Sequence, residues 1–232
     1  MKLKQIAVTT LICLTIVWSC GSDDDSNSDN KAYYQFDDFD RSLILDYDYQ
    51  VDQIISYRNQ SGEYINFKVI SNEAGKQGYY GYGTFFGSFS SLSNYYDNKI
   101  VRFEILENDM FAPEGLVNYV FSKNFDMMTI GINVPMWNIS NFTFIDEIQN
   151  PTNIPMTEYI NEPRIQMNIN GHVFDRIVII ESMSDDVYSN TSYGTILQNV
   201  NKVYYDFGFG IVRFDDIDGN VWELVYPSNY IE

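Results

Sequence analysis

One histidine, His172, and a scatter of carboxylates are the side chains of this 232-residue chain best suited to acid–base chemistry. A serine–histidine–acid triad needs the imidazole buried beside a serine nucleophile, and no G-x-S-x-G elbow occurs. His172 directly follows Asn170-Gly171, a dipeptide suited to a type I′ turn, which predicts an exposed place at a hairpin tip. A lone histidine also cannot build a histidine-rich zinc site. Glycosidases need only two carboxylates about 5–9.5 Å apart. Outside the acidic N-terminal stretch the candidates are Glu104, Glu107, Asp146, Glu147, Glu158, Glu181 and Glu223. Glu104 and Glu223 fall mid-strand, where an inward carboxylate acquires a raised pKa. Glu223 lies between Trp222 and Leu224, so alternation assigns it to a solvated strand face.

Other motifs carry less. Gly78-Tyr79-Tyr80-Gly81-Tyr82-Gly83 has the spacing GxxGxG rather than GxGxxG, and no helix that could hold a phosphate is expected after it. Phe207-Gly208-Phe209-Gly210 sits inside a strand pattern, where glycine marks a bulge or a bend. Asp215-Asp216-Ile217-Asp218-Gly219-Asn220 has the look of a calcium loop. With Gly219 at the sixth position, however, Phe214 takes the first and Val225 the twelfth, so both key carboxylates are missing. An acidic hairpin turn accounts for those residues. No cofactor and no metal are expected. Aromatic clusters at Tyr79-Tyr80, Phe85-Phe86, Tyr95-Tyr96 and Tyr204-Tyr205 suit a sugar platform or an apolar cavity. On a strand, one ring of each pair points inward, so only the outward rings bear on binding.

The N-terminus speaks of address. Lys2 and Lys4 precede an apolar run from Ile6 to Trp18, too short to cross a bilayer core that needs about 20 residues. A basic start and a short apolar core make a secretory signal. Val17-Trp18-Ser19-Cys20 resembles a bacterial lipobox, in which the cysteine is acylated and becomes the new N-terminus. Trp18 is bulkier than usual there. Gly21-Ser22-Asp23-Asp24-Asp25 resembles the acidic export signal of surface lipoproteins in the Bacteroidota. The resemblance implies a signal peptide over 1–19, lipidation at Cys20, and sorting to the cell surface by Ser22, Asp23, Asp24 and Asp25. Residues 20–32 then read as a flexible acidic tether. Cys13 leaves with the leader, so the mature chain has no thiol for catalysis and no second cysteine for a disulfide.

Losing Lys2 and Lys4 leaves 12 basic residues against 32 acidic ones, a net charge near −20. Nucleic acid is thereby disfavoured as a partner. The 19 tyrosines and 16 phenylalanines favour strands. Arg164-Ile165-Gln166-Met167-Asn168-Ile169 alternates strictly, and after Asn170-Gly171 the return strand runs over 173–181. A second hairpin pairs a strand over 202–214 with one over 221–226. Further strands are expected at 53–58, 63–71, 99–107, 116–122, 127–133 and 192–198, with Asn59-Gln60-Ser61-Gly62 as a hairpin loop. Residues 133–163 hold four prolines and read as a long connection or a loop over a barrel mouth. The expected fold is mainly β: an antiparallel meander over 33–232 forming a curved sheet, half-barrel or barrel, with few or no helices. Two halves, 33–148 and 164–232, are the alternative to one continuous sheet.

The segment from Val203-Tyr204-Tyr205 through Gly208-Phe209-Gly210-Ile211-Val212-Arg213-Phe214 to Asp218-Gly219 and Trp222-Glu223-Leu224 resembles the closing hairpin of uncharacterised Bacteroidota lipoproteins. This chain departs from that pattern at Asp206-Phe207. The resemblance implies a curved antiparallel sheet on a lipid anchor and no particular reaction. The expected function is that of a membrane-anchored, non-catalytic binding or accessory protein at the surface of the outer membrane, its ligand a glycan or a partner protein. A half-barrel carrier of an apolar ligand and a small carboxylate glycoside hydrolase are the alternatives.

Overall fold

Alternating apolar residues place every long strand of the protein in one sheet. The computed structural model describes residues 31–82, 90–138, 153–182 and 193–226. The strands are β1 (Tyr33–Tyr34), β2 (Ile54–Arg58), β3 (Tyr64–Tyr82), β4 (Ser90–Ile105), β5 (Val117–Asn124), β6 (Met127–Asn133), β7 (Asn153–Pro155), β8 (Ile165–Ile169), β9 (His172–Glu181), β10 (Val200–Asp206), β11 (Gly210–Asp216) and β12 (Val221–Val225). Eleven of them follow the order β7-β6-β5-β4-β3-β2-β12-β11-β10-β9-β8, and β1 adds to β4. Neighbours along the path are antiparallel, and the sheet curls into a half-barrel. The chain closes on itself through the β2–β12 pair, which joins the N- and C-terminal strands into a single sheet.

Period-two burial gives the sheet its inner face. Ile55, Tyr57, Phe67, Val69, Val101, Phe103, Tyr119, Phe121 and Tyr205 are all essentially inaccessible. Residues 36–50 form a strap that covers this face. Its one helix, α1 (Asp38–Leu43), begins with a capping box. Asp40 N donates to Asp37 Oδ1 at 2.9 Å, and Asp37 N donates to Asp40 Oδ2 at 3.0 Å. Lys123 on β5 holds the same two acids, at 2.7 Å to buried Asp40 and 3.2 Å to Asp37. The hydrogen bond to Asp40 raises the Lys123 pKa. Farther along, Leu43, Leu45, Tyr47 and Tyr49 are buried, and Asp46 N and Tyr47 N both donate to Gly208 O. The acidic run at 37–48 is therefore structured from Asp37 onward, with its apolar residues turned into the core.

The structure revises four of the expected strands. The run 202–214 is two strands, β10 and β11, joined by a turn at residues 207–209. Asp206 Oδ1 accepts from Gly208 N and Phe209 N, at 2.8 and 2.9 Å, and reverses the chain. Gly210 follows at φ +108°, and a Cβ there would lie 2.9 Å from the Tyr119 ring. The strand at 192–198 is absent over its described residues. Gly194 has φ +97°, and the Asn108 amide grips both sides of it through Tyr193 O and Thr195 N. The strands at 63–71 and 99–107 form in the sheet and are longer than expected, since β3 runs on to Tyr82 and β4 starts at Ser90, and their paired extension is an arm. β5 pairs with β4 only from Asn98 to Phe103, and beyond it β1 takes that edge in parallel, Tyr33 beside Tyr95 and Tyr34 beside Tyr96.

The hairpin at Asn170-Gly171 forms as expected, with φ of +50° and +89°. So does the loop at Asn59, whose Oδ1 accepts from Ser61 N and Glu63 N. From the 133–163 region, β7 adds an edge strand to β6 and buries Ile154, and the 3-10 turn after it buries Met156. Cys20, Ser22, Asp23, Asp24, Asp25, Phe85, Phe86, Asp146 and Glu147 lie outside the described residues.

Candidate functional site

His172 is not at an exposed tip. It is the first residue of β9, half-buried, with its ring stacked on Tyr226 at 3.9 Å and an interplanar angle of 9°. Period two then sets Phe174 and Arg176 on the same face of β9. The strap residues Asp46 and Tyr47, the turn residues Gly208 and Phe209, and Tyr226 just beyond β12 complete a half-open hollow of about 270 Å³. The rings form one wall. Tyr47 meets Phe209 at 4.5 Å, His172 meets Phe174 at 4.6 Å, and Phe174 and Tyr226 each lie 5.8 Å from Phe209.

The opposite rim is polar. Arg176 Nη2 pairs with Asp46 Oδ2 at 2.8 Å, and Nη1 donates to Ser42 O at 3.4 Å. Asp206 is buried below, where Oδ2 accepts from Arg176 N at 3.1 Å while Oδ1 holds the turn. That carboxylate is satisfied by backbone donors and serves structure. The Arg176–Asp46 pair is different, because Asp46 is largely solvent-exposed. It offers a charged donor and a charged acceptor side by side, next to ring faces. Asp46, Asp175, Asp206 and Arg176 line the hollow and together carry two formal negative charges, which with the acidic whole disfavours anionic ligands. Two other hollows, of about 300 and 290 Å³, are lined mainly by polar residues, Arg58, Asn59 and Glu223 in one and Glu73, Lys76 and Arg102 in the other, and neither has a ring wall.

Among the described residues, the mid-strand carboxylates Glu104 and Glu223 do not come together. Glu104 sits opposite Lys68, and Glu223 opposite Arg58 and Arg213. Three inter-strand steps of about 4.8 Å separate β4 from β12, which exceeds the spacing either glycosidase mechanism allows. Glu107 accepts from Asn66 N and Nδ2, Glu181 pairs with Lys202 at 2.6 Å, and Glu158 is exposed on a 3-10 turn.

The acidic turn also has a structural use. Asp216 Oδ1 accepts from Asp218 N and Asn220 N, and Oδ2 accepts from Asn220 Nδ2 and Trp222 Nε1. Four donors occupy the carboxylate a calcium ion would need. Among the described residues no group of three or more His, Cys, Asp or Glu is placed to hold a metal ion.

Of the aromatic pairs, Tyr204 and Tyr205 are both buried, with the Arg213 guanidinium 4.6 Å from the Tyr204 ring centroid. Tyr79 and Tyr80 are both exposed, on the arm. Sequence reasoning missed the hollow because its walls come from four separate stretches. The one usable signal was the H-x-F-x-R alternation at His172, Phe174 and Arg176. No protein-family model, curated protein or solved structure matches this chain.

Proposed function

We propose that this is a lipid-anchored cell-surface binding protein, without catalysis, whose hollow between β9, the strap and Tyr226 takes a neutral sugar unit of a glycan. The observation that carries this reading is the aromatic wall facing the exposed Arg176–Asp46 pair. The apolar C–H face of a pyranose packs against rings, while neighbouring hydroxyls, each both donor and acceptor, match a guanidinium beside a carboxylate. The volume suits one sugar ring rather than a larger ligand. The anchor at Cys20 and the sorting role of Ser22, Asp23, Asp24 and Asp25 come from their resemblance to lipoprotein signals.

The concave face does not favour a carrier, since Tyr49, Tyr57, Phe103, Tyr119 and Tyr205 fill it. The test is a panel of neutral and acidic oligosaccharides titrated calorimetrically against the protein. Neutral glycans should bind, with Arg176→Ala weakening them by about tenfold, the size expected for one charged hydrogen-bond donor. Binding of acidic glycans alone, or binding untouched by Arg176→Ala, would refute the site.

A further inference from the structure

A second aromatic surface lies on the arm, where the chain enters the fold. Phe125, in the turn between β5 and β6, contacts Tyr34 of β1 at 5.5 Å and Tyr79 of the arm at 5.7 Å. It is 45% exposed, and Met127 beside it is 71% exposed. Phe125 also has φ +46°, a left-handed conformation that asparagine or glycine adopts without strain and a bulky ring does not. The ring joins Tyr34 and Tyr79 in a cluster that stays partly open to solvent.

Register places these residues on one face. Tyr34 pairs with Tyr96, Gln77 with Tyr96, and Tyr79 with Asn94, and directly paired residues share a side. The described arm from the Ala74–Lys99 pair outward has three charged residues, Lys76, Asp97 and Lys99, and all are engaged on the other side, Lys99 through Leu45 O. Lys76 lies 4.7 and 3.8 Å from the Tyr33 and Tyr95 ring centroids, and Asp97 accepts from Tyr33 Oη and Phe36 N. A chain with net charge −18 thus presents a nearly uncharged aromatic face, with Asp126 as the acid within it.

The length of chain ahead of this face says what covers it. Between Cys20 and Tyr33 there are twelve residues, and a flexible chain of that length spans about 20 Å on average. A lipid on Cys20 would hold β1, and Tyr34 with it, within that distance of the bilayer. Tethering at such range corresponds to an effective concentration in the millimolar range, enough for a weak surface contact to persist. Tyrosine and phenylalanine are suited to the interface between headgroups and acyl chains.

We infer that Tyr34, Tyr79, Phe125 and Met127 form the face on which the anchored domain rests against a zwitterionic lipid surface. This inference rests on the lipid anchor proposed above. The test uses the lipidated mature protein reconstituted into phosphatidylcholine vesicles with brominated acyl chains, which quench tryptophan at the interface. Phe125→Trp should be quenched about twofold more than the wild-type background from buried Trp137 and Trp222, and Ile179→Trp on β9 should match that background. Tyr79→Trp gives the same reading should Phe125→Trp fail to fold. If the protein floats with the vesicles but position 125 shows only background quenching, the anchor stands and the docking face is wrong. If Phe125→Trp is unquenched in vesicles yet shielded from aqueous acrylamide on intact cells, a protein covers the face and the lipid assignment is overturned. If the protein does not float, the anchor falls and the inference with it.

Discussion

The strap-covered interior and the hollow beside β9 are built from the same residue types and put them to opposite uses. Inside, the Tyr57 hydroxyl donates to Ile211 O at 2.8 Å, Tyr49 donates to Phe209 O, and the Tyr119 hydroxyl accepts from Ile211 N at 3.1 Å. These phenols tie the strap, β2 and β5 to the turn between β10 and β11 and to the start of β11. Their rings meet edge-on or tilted, as at 5.0 Å between Tyr49 and Phe103 and 5.1 Å between Phe103 and Tyr119. In the hollow, by contrast, His172 and Tyr226 stack face to face and remain half-buried, beside an ion pair open to solvent. A buried tyrosine whose oxygen is matched to backbone serves folding. Ring faces left half-open next to a donor–acceptor pair have capacity to spare for a ligand.

The comparison breaks most visibly at Tyr119. Tyr119→Ala removes a buried ring and the acceptor for Ile211 N, and should cost about 4 kcal/mol in denaturant unfolding. A loss under about 1 kcal/mol would mean that the interior is not packed as described.

Alkaline pH tests all four interior phenols together. Burial raises the pKa of Tyr49, Tyr57, Tyr119 and Tyr205 above the ordinary 10.0. The unfolded chain therefore loses these protons first. The stabilisation is intact below pH 10 and falls as pH rises past 10 toward the raised values. Unfolding monitored from pH 8 to 12 should show stability dropping in that window. Replacing Tyr49 and Tyr57 with phenylalanine should flatten the drop.

A finer contrast lies within the interior. Tyr57→Phe leaves Ile211 O without its donor and should cost about 1 kcal/mol. The Tyr205 hydroxyl is buried with no hydrogen-bond partner, so Tyr205→Phe should be neutral or slightly stabilising by the same measurement.

Much of the sheet was legible because alternation and turn chemistry are local. Asn170-Gly171 and Asn59-Gln60-Ser61-Gly62 announce their hairpins through positive φ and a side-chain acceptor, and the flanking strands read by period two. The turn at 207–209 was hidden because Phe and Gly alternate there as in a strand. Its cause is Asp206, the residue at which the chain departs from the pattern it resembles, and only the hydrogen bonds of that carboxylate expose the reversal. Helix α1 was not legible because its capping acids are held by Lys123, 83 residues beyond Asp40, a contact no local pattern announces. The outer arm lacks clear alternation because both its faces are exposed over much of its length. The site was least legible, since residues 46–47, 172–176, 206–209 and 226 meet only after the sheet has curled.

Tyr226→Ala tests the division between the two regions most directly, with stability and neutral-oligosaccharide affinity measured on the same preparation. The account predicts a change in unfolding free energy under about 1 kcal/mol together with at least about a tenfold loss of affinity. A large loss of stability with affinity unchanged would contradict it, and would return His172 and Tyr226 to the structural core.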